Sequence, residues 1–128
     1  MPTGSKFRAA AAKAGAELHT LTVALPDYTT DIAVLAGRGP GLVVHSSGVH
    51  GVEGFAGSGI QIAILSNFSK TEAAEAQSTD PDAPTIVLVH AVNPFGMAHF
   101  RRFNENNVDL NRNALPPADR AAVLARDT

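Results

Sequence analysis

His50 and Glu53 lie three residues apart in the run Ser47-Gly48-Val49-His50-Gly51-Val52-Glu53-Gly54, where an apolar strand gives way to a helix. An imidazole and a carboxylate are both donors to a divalent cation, and bound groups gather at the carboxyl end of such a strand. The chain contains no cysteine, which excludes disulfide frameworks and thiolate metal sites and leaves only nitrogen and oxygen donors. His50 and Glu53 are therefore read as two ligands of a metal centre. The spacing by itself is common, and a lone histidine is more often a hydrogen-bonded structural residue than a ligand.

Eight of the eleven glycines fall between residues 37 and 59, around that pair. Glycine reaches backbone angles closed to other residues and permits close approach, so Gly57 and Gly59 are expected to let the helix pack tightly on the sheet. A tight turn with no ligand would use the same residues. A phosphate cradle would too, but the segment lacks the P-loop lysine, and Gly54, Gly57 and Gly59 do not follow the GxGxxG order. Nucleotide binding is set aside.

The surrounding chain must position these groups. Its 128 residues suffice for one domain with one core, and 45% hydrophobic content with a mean hydropathy of +0.03 is ordinary for a globular fold. Ten basic against twelve acidic residues give a net charge of −2 with no basic stripe, so nucleic acid is not an expected partner. No stretch approaches membrane-spanning length, and the first residues lack the apolar core of a signal peptide. The expectation is a cytoplasmic chain with small or peptidic partners.

Lys6 to Ala16, rich in alanine with Gly15 near its end, reads as a helix. Residues from His19 to Leu25 alternate as an edge strand closed by Pro26-Asp27, and Asp31 to Ala36 reads as a second strand. Gly37-Arg38-Gly39-Pro40-Gly41 then suggests a sharp connection to a third strand, Gly41 to His45, and an antiparallel meander of all three. A helix follows from about Glu53 to Phe68. Ser69 to Pro84 is polar enough to be a surface excursion. Thr85 to Ala91 is apolar without alternation, a central strand needing helices on both sides, and Pro116-Pro117-Ala118-Asp119 opens a last short helix.

Asn93-Pro94-Phe95-Gly96 follows the central strand directly, and Arg101-Arg102 and Asp109-Leu110-Asn111-Arg112 come after it. Singly these are surface arginines, a strand-ending turn and a polar loop. Their joint order resembles the zinc carboxypeptidases of the M14 type and their relatives, the succinylglutamate desuccinylase and aspartoacylase group. The longer run from Ser47 to Ser58 is similar to the M14-like branch known as DUF2817, and the likeness extends from about residue 8 to 113.

That resemblance implies a three-layer αβα fold with a mixed sheet, and zinc held by His50 and Glu53. It implies that Arg102, or its neighbour Arg101, polarises the scissile carbonyl, that Asn111 and Arg112 grip a substrate carboxylate, and that the substrate is a small peptide or an N-acyl amino acid. Arginine suits both tasks because its planar fork of donors matches a carboxylate and can also stabilise an oxyanion. Asp109 is expected to hold a loop or orient an arginine. His45, His90 and His99 read as core or loop histidines and His19 as solvated.

The resemblance also implies a third ligating histidine and a general-base glutamate beyond the Asp-Leu-Asn-Arg segment, yet neither residue type occurs after Arg112. Residues 1–128 are thus expected to form one incomplete catalytic domain, the amino-terminal half of a zinc-dependent amide hydrolase, inactive alone. The alternatives are a non-catalytic binding module that uses Arg102, Asn111 and Arg112 as a carboxylate clamp, and an α/β packing domain acting through a partner chain.

Overall fold

A computed structural model describes residues 4–23 and 26–125. Helix α1 (Ser5–Lys13) is followed by strands β1 (Glu17–Thr22), β2 (Thr29–Leu35) and β3 (Leu42–Ser46). A single 3-10 turn (Gly51–Glu53) leads into α2 (Gly54–Phe68), and then come α3 (Thr71–Thr79), β4 (Thr85–His90), α4 (Pro94–Ala98) and α5 (Pro117–Leu124). No described helix is long and apolar enough to cross a membrane.

Alanine content makes α1, and Gly15 ends it at φ +71°, while the Ala16 N–H bonds the Ala11 carbonyl at 3.0 Å. Phe7 and Ala11, one helical turn apart, share its buried face. The excursion after α2 contains α3, a helix not foreseen in so polar a stretch. Gln77 anchors it by donating to the carbonyls of Pro84 (2.7 Å) and Leu35 (3.4 Å).

The four strands form one mixed sheet in the order β1-β2-β4-β3. β1 and β2 are an antiparallel hairpin with β1 at the edge, as expected, but the three-strand meander is not formed. β4 inserts between β2 and β3, antiparallel to the first and parallel to the second. The reason lies in the glycine connection, which passes by the start of β4 instead of folding back: Gly39 N–H bonds Ala83 O at 2.8 Å, and Thr85 N–H bonds Gly41 O at 2.9 Å. The most continuously apolar strand thereby takes a central place, with helical crossovers completing the parallel pair.

Register assigns the faces. Asp31, Ala33 and Leu35 of β2 lie beside His90, Leu88 and Ile86 of β4. These residues meet α1 and α2, and Phe7, Ala11, Ala33, Leu35, Leu65 and Leu88 form the core. Each large side chain among them contributes about 1.5–3 kcal/mol by leaving water. Of the two helical layers expected, these helices supply one. Leu42 and Val44 of β3 point to the opposite face and remain 64% and 59% exposed.

Candidate functional site

β3 and β4 run in parallel, so their carboxyl ends deliver two loops to one place. Ser47 N–H bonds Val89 O at 3.0 Å, Val92 N–H bonds Ser47 O at 2.9 Å, and Asn93 N–H bonds Gly48 O at 2.8 Å, stitching the loops together. Gly48 reverses the chain at φ +69°. Beyond it the 3-10 turn lies against α4 so closely that a Cβ on Gly51 would run into the Gly96 backbone. Gly57 likewise abuts Ser47, as expected of a helix pressed on the sheet, but Gly59 faces open space and has no such part.

Asn93 organises the second loop. Its Oδ1 accepts from Gly96 N–H at 2.8 Å, capping α4 with Pro94 in the first turn, and its Nδ2 donates to Arg102 O at 3.3 Å. Arg101 O accepts from Val52 N–H at 3.0 Å. The arginine segment is thus bonded on one side to the His50–Glu53 turn and on the other to the α4 cap.

Within this frame His50 and Arg102 meet on one carboxylate. Asp109 Oδ1 lies 2.9 Å from His50 Nε2, and Asp109 Oδ2 accepts from Arg102 Nε at 2.9 Å. Burial alone would raise the Asp109 pKa; the hydrogen bonds from Arg102 and His50, the Arg102 charge and the Asn111 N–H outweigh it and hold the carboxyl at about 2. Asp109 is therefore an ionised acceptor at neutral pH, which puts the imidazole proton on Nε2. When the ring is neutral, Nδ1 presents its lone pair toward Glu53 Oε2, 3.4 Å away.

In the neutral ring these are two acceptors facing each other across 3.4 Å, whereas a protonated ring would donate to both Glu53 and Asp109. Metal–nitrogen and metal–oxygen bonds of about 2.0–2.2 Å at a tetrahedral angle set donors roughly 3.3–3.5 Å apart, so this pair has the spacing of two ligands of one zinc ion. An imidazole ligand whose other nitrogen donates to a carboxylate is the usual arrangement around such a metal. Among the described residues no group of three or more His, Cys, Asp or Glu side chains is placed to hold a metal ion.

The remaining residues fall into place around this pair. Arg102 binds Asp109 through Nε, and among the described residues its two terminal amino groups have no partner. Arg101 turns elsewhere: its Nη2 donates to Asn107 at 3.0 Å, and its guanidinium lies 5.9 Å from the centre of the Phe95 ring. Asn111 donates its backbone N–H to Asp109 Oδ1 at 3.0 Å, and among the described residues the Arg112 side chain reaches only the Asn111 carbonyl at 3.4 Å; both are exposed. Of the six residues singled out in the sequence, His50, Glu53 and Arg102 converge, Asn111 and Arg112 border the group, and Arg101 stands apart.

Asp109 is the residue whose part was underestimated. An arginine partner was foreseen, but the bond to His50 was not, and the only signal was its place at the head of the Asp-Leu-Asn-Arg run. The other histidines take structural positions. His45 meets Gln61 at 3.2 Å, His90 is fully buried, the exposed His99 meets Tyr28 at 2.6 Å, and His19 pairs with Glu17 at 3.1 Å.

Fold and site together define a mixed α/β protein with a histidine–carboxylate–arginine cluster at the carboxyl ends of its parallel strands. Residues 3–126 match the family described as Protein of unknown function (DUF2817), and the chain belongs to that family. No curated protein and no solved structure matches it.

Proposed function

We propose that this chain carries the metal-binding part of a zinc-dependent amide hydrolase, of the metallocarboxypeptidase or acyl-amino-acid deacylase kind. One observation supports the reading above the others: His50 Nδ1 lies 3.4 Å from the Glu53 carboxylate, with Asp109 holding the opposite nitrogen.

In this reading His50 Nδ1 and Glu53 hold zinc, which when bound acidifies water and polarises a carbonyl. Asp109 keeps the imidazole in the ligating tautomer and fixes Arg102 with its other oxygen. Arg102 directs its free amino groups to the carbonyl oxygen of the scissile amide, where charge builds up. Asn111 and Arg112 take the substrate carboxylate by bidentate hydrogen bonding. Two protein donors alone bind zinc weakly, so turnover needs a further ligand and a base.

Calorimetric titration with zinc tests this directly. Binding at one site, abolished in His50→Ala and in Glu53→Ala with the fold retained, is the expected result; zinc affinity equal to wild type in either variant refutes it. A carboxylate clamp without metal is the second reading, favoured by the exposed, nearly unpartnered Arg112. It requires an N-acyl amino acid to bind equally well with and without chelator.

A further inference from the structure

Phe100 occupies a backbone position that suits glycine. α4 ends in the same way as α1: Arg101 N–H reaches back to Gly96 O at 2.8 Å, as Ala16 N–H reaches Ala11 O. The residue before that donor must take a left-handed conformation. In α1 it is Gly15 at φ +71°; in α4 it is Phe100 at φ +54°. A bulky side chain is disfavoured there, and such outliers gather where a site requires them.

Packing does not explain the choice. Phe100 is 73% exposed and the ring it touches, Phe55, is 48% exposed; the two stack with centroids 5.5 Å apart and planes at 17°. A helix cap selected for stability would bury such a ring or replace it with glycine. The stack is also next to the site. Phe55 follows Glu53 by two residues, Phe100 precedes Arg101 and Arg102, and the Val52–Arg101 backbone bond joins the two segments. Val52 itself is 40% exposed. Val52, Phe55 and Phe100 are thus exposed apolar side chains on the same two segments that carry His50, Glu53 and Arg102.

We infer that the Phe55–Phe100 stack is the platform that receives a flat apolar group of the substrate, an aryl group adjacent to the amide. This rests on the amide-hydrolase reading above for its substrate class. Aromatic faces prefer offset stacking on other rings, so the platform selects aryl over methyl or hydrogen.

The test uses N-acetylphenylalanine and N-benzoylglycine, which carry the aryl group on opposite sides of the amide, against N-acetylglycine. Binding of each to the whole chain is followed by the NMR signals of the phenylalanine rings, with zinc present. At least one aryl ligand should bind on the order of tenfold more tightly than N-acetylglycine. Phe100→Gly should remove that preference while its melting temperature stays at or above that of wild type, since glycine is the favoured residue at the cap. Phe55→Ala should lower the preference as well. Equal affinity for the three ligands, no binding of any, or a preference that survives Phe100→Gly overturns the platform. The zinc titration reports on the metal pair independently: zinc binding without aryl preference sinks the platform alone, whereas aryl preference in a chain that binds no zinc sinks the hydrolase reading alone.

Discussion

His50 and Asp109, 59 residues apart in the chain, meet at 2.9 Å between Nε2 and Oδ1. That contact decides which imidazole nitrogen faces Glu53, and through the second carboxylate oxygen it ties the same decision to Arg102. Asp109→Asn keeps the size of the side chain but replaces one acceptor with a donor, so either His50 or Arg102 loses its partner. Zinc affinity is expected to fall about 10–100-fold, as for other partners of metal-bound histidines. Titration of the variant against wild type checks this, and an unchanged affinity would mean that the tautomer is set elsewhere.

The glycines around the site should respond unequally to alanine. Gly51→Ala drives a Cβ into the Gly96 backbone, separating the turn from α4 and moving His50 and Glu53 with it. Both melting temperature and zinc affinity are expected to drop. Gly59 is exposed within α2 and a Cβ there meets nothing within 4 Å, so Gly59→Ala should stabilise by about 1 kcal/mol through helix propensity. Denaturant titrations of the two variants read the contrast.

Stability should fall with acid through His90. The ring is fully buried, stacks on Phe7 at 4.6 Å and meets Ser58 Oγ at 3.0 Å through Nε2, while Nδ1 has no hydrogen-bond partner. Burial lowers its pKa below 6.5, with Asp31 opposing and Arg8 adding to the effect. The unfolded chain therefore takes up this proton first. The contribution is complete above about pH 6.5 and is lost as pH falls through the lowered native value. The urea midpoint of wild type should decline between pH 7.5 and 5, and that of His90→Gln should decline less; parallel curves would place the effect on another group.

Leu65 and Leu88 are fully buried where α2 meets the sheet. Leu65→Ala or Leu88→Ala should cost about 2–5 kcal/mol, the range for a leucine whose surroundings collapse only in part. Equilibrium unfolding measures it, and a loss below about 1 kcal/mol would show that this core is loosely packed.

Much of the frame was legible in the residues. The alanine run, the alternation of β1, the unbroken apolar β4 and the glycine at the end of α1 each express a local preference, and each element formed close to its expected span, the expected end of β1 at Ala24 and Leu25 lying outside the described residues. Sheet order was not legible, because the glycine connection between β2 and β3 is short enough for a hairpin. Only the competition for a central place, won by β4 from 39 residues further along than the end of β3, sends β3 outward. The polarity of α3 masked a helix held by Gln77 and by its neighbours, not by an apolar stripe of its own.

By itself the sequence determined the chemical inventory: a histidine and a glutamate at the end of a strand, two adjacent arginines, an Asp-Leu-Asn-Arg run, and no thiol. Tertiary structure alone decided that one aspartate would serve both His50 and Arg102, that Arg101 would lie over Phe95, and that Phe100 would stand against Phe55 in a glycine-like conformation. The physical reason is that side-chain type and local spacing are properties of neighbours in the chain. The meeting of residues 50 and 109 depends instead on two parallel strands ending side by side, a relation that no stretch of either segment encodes.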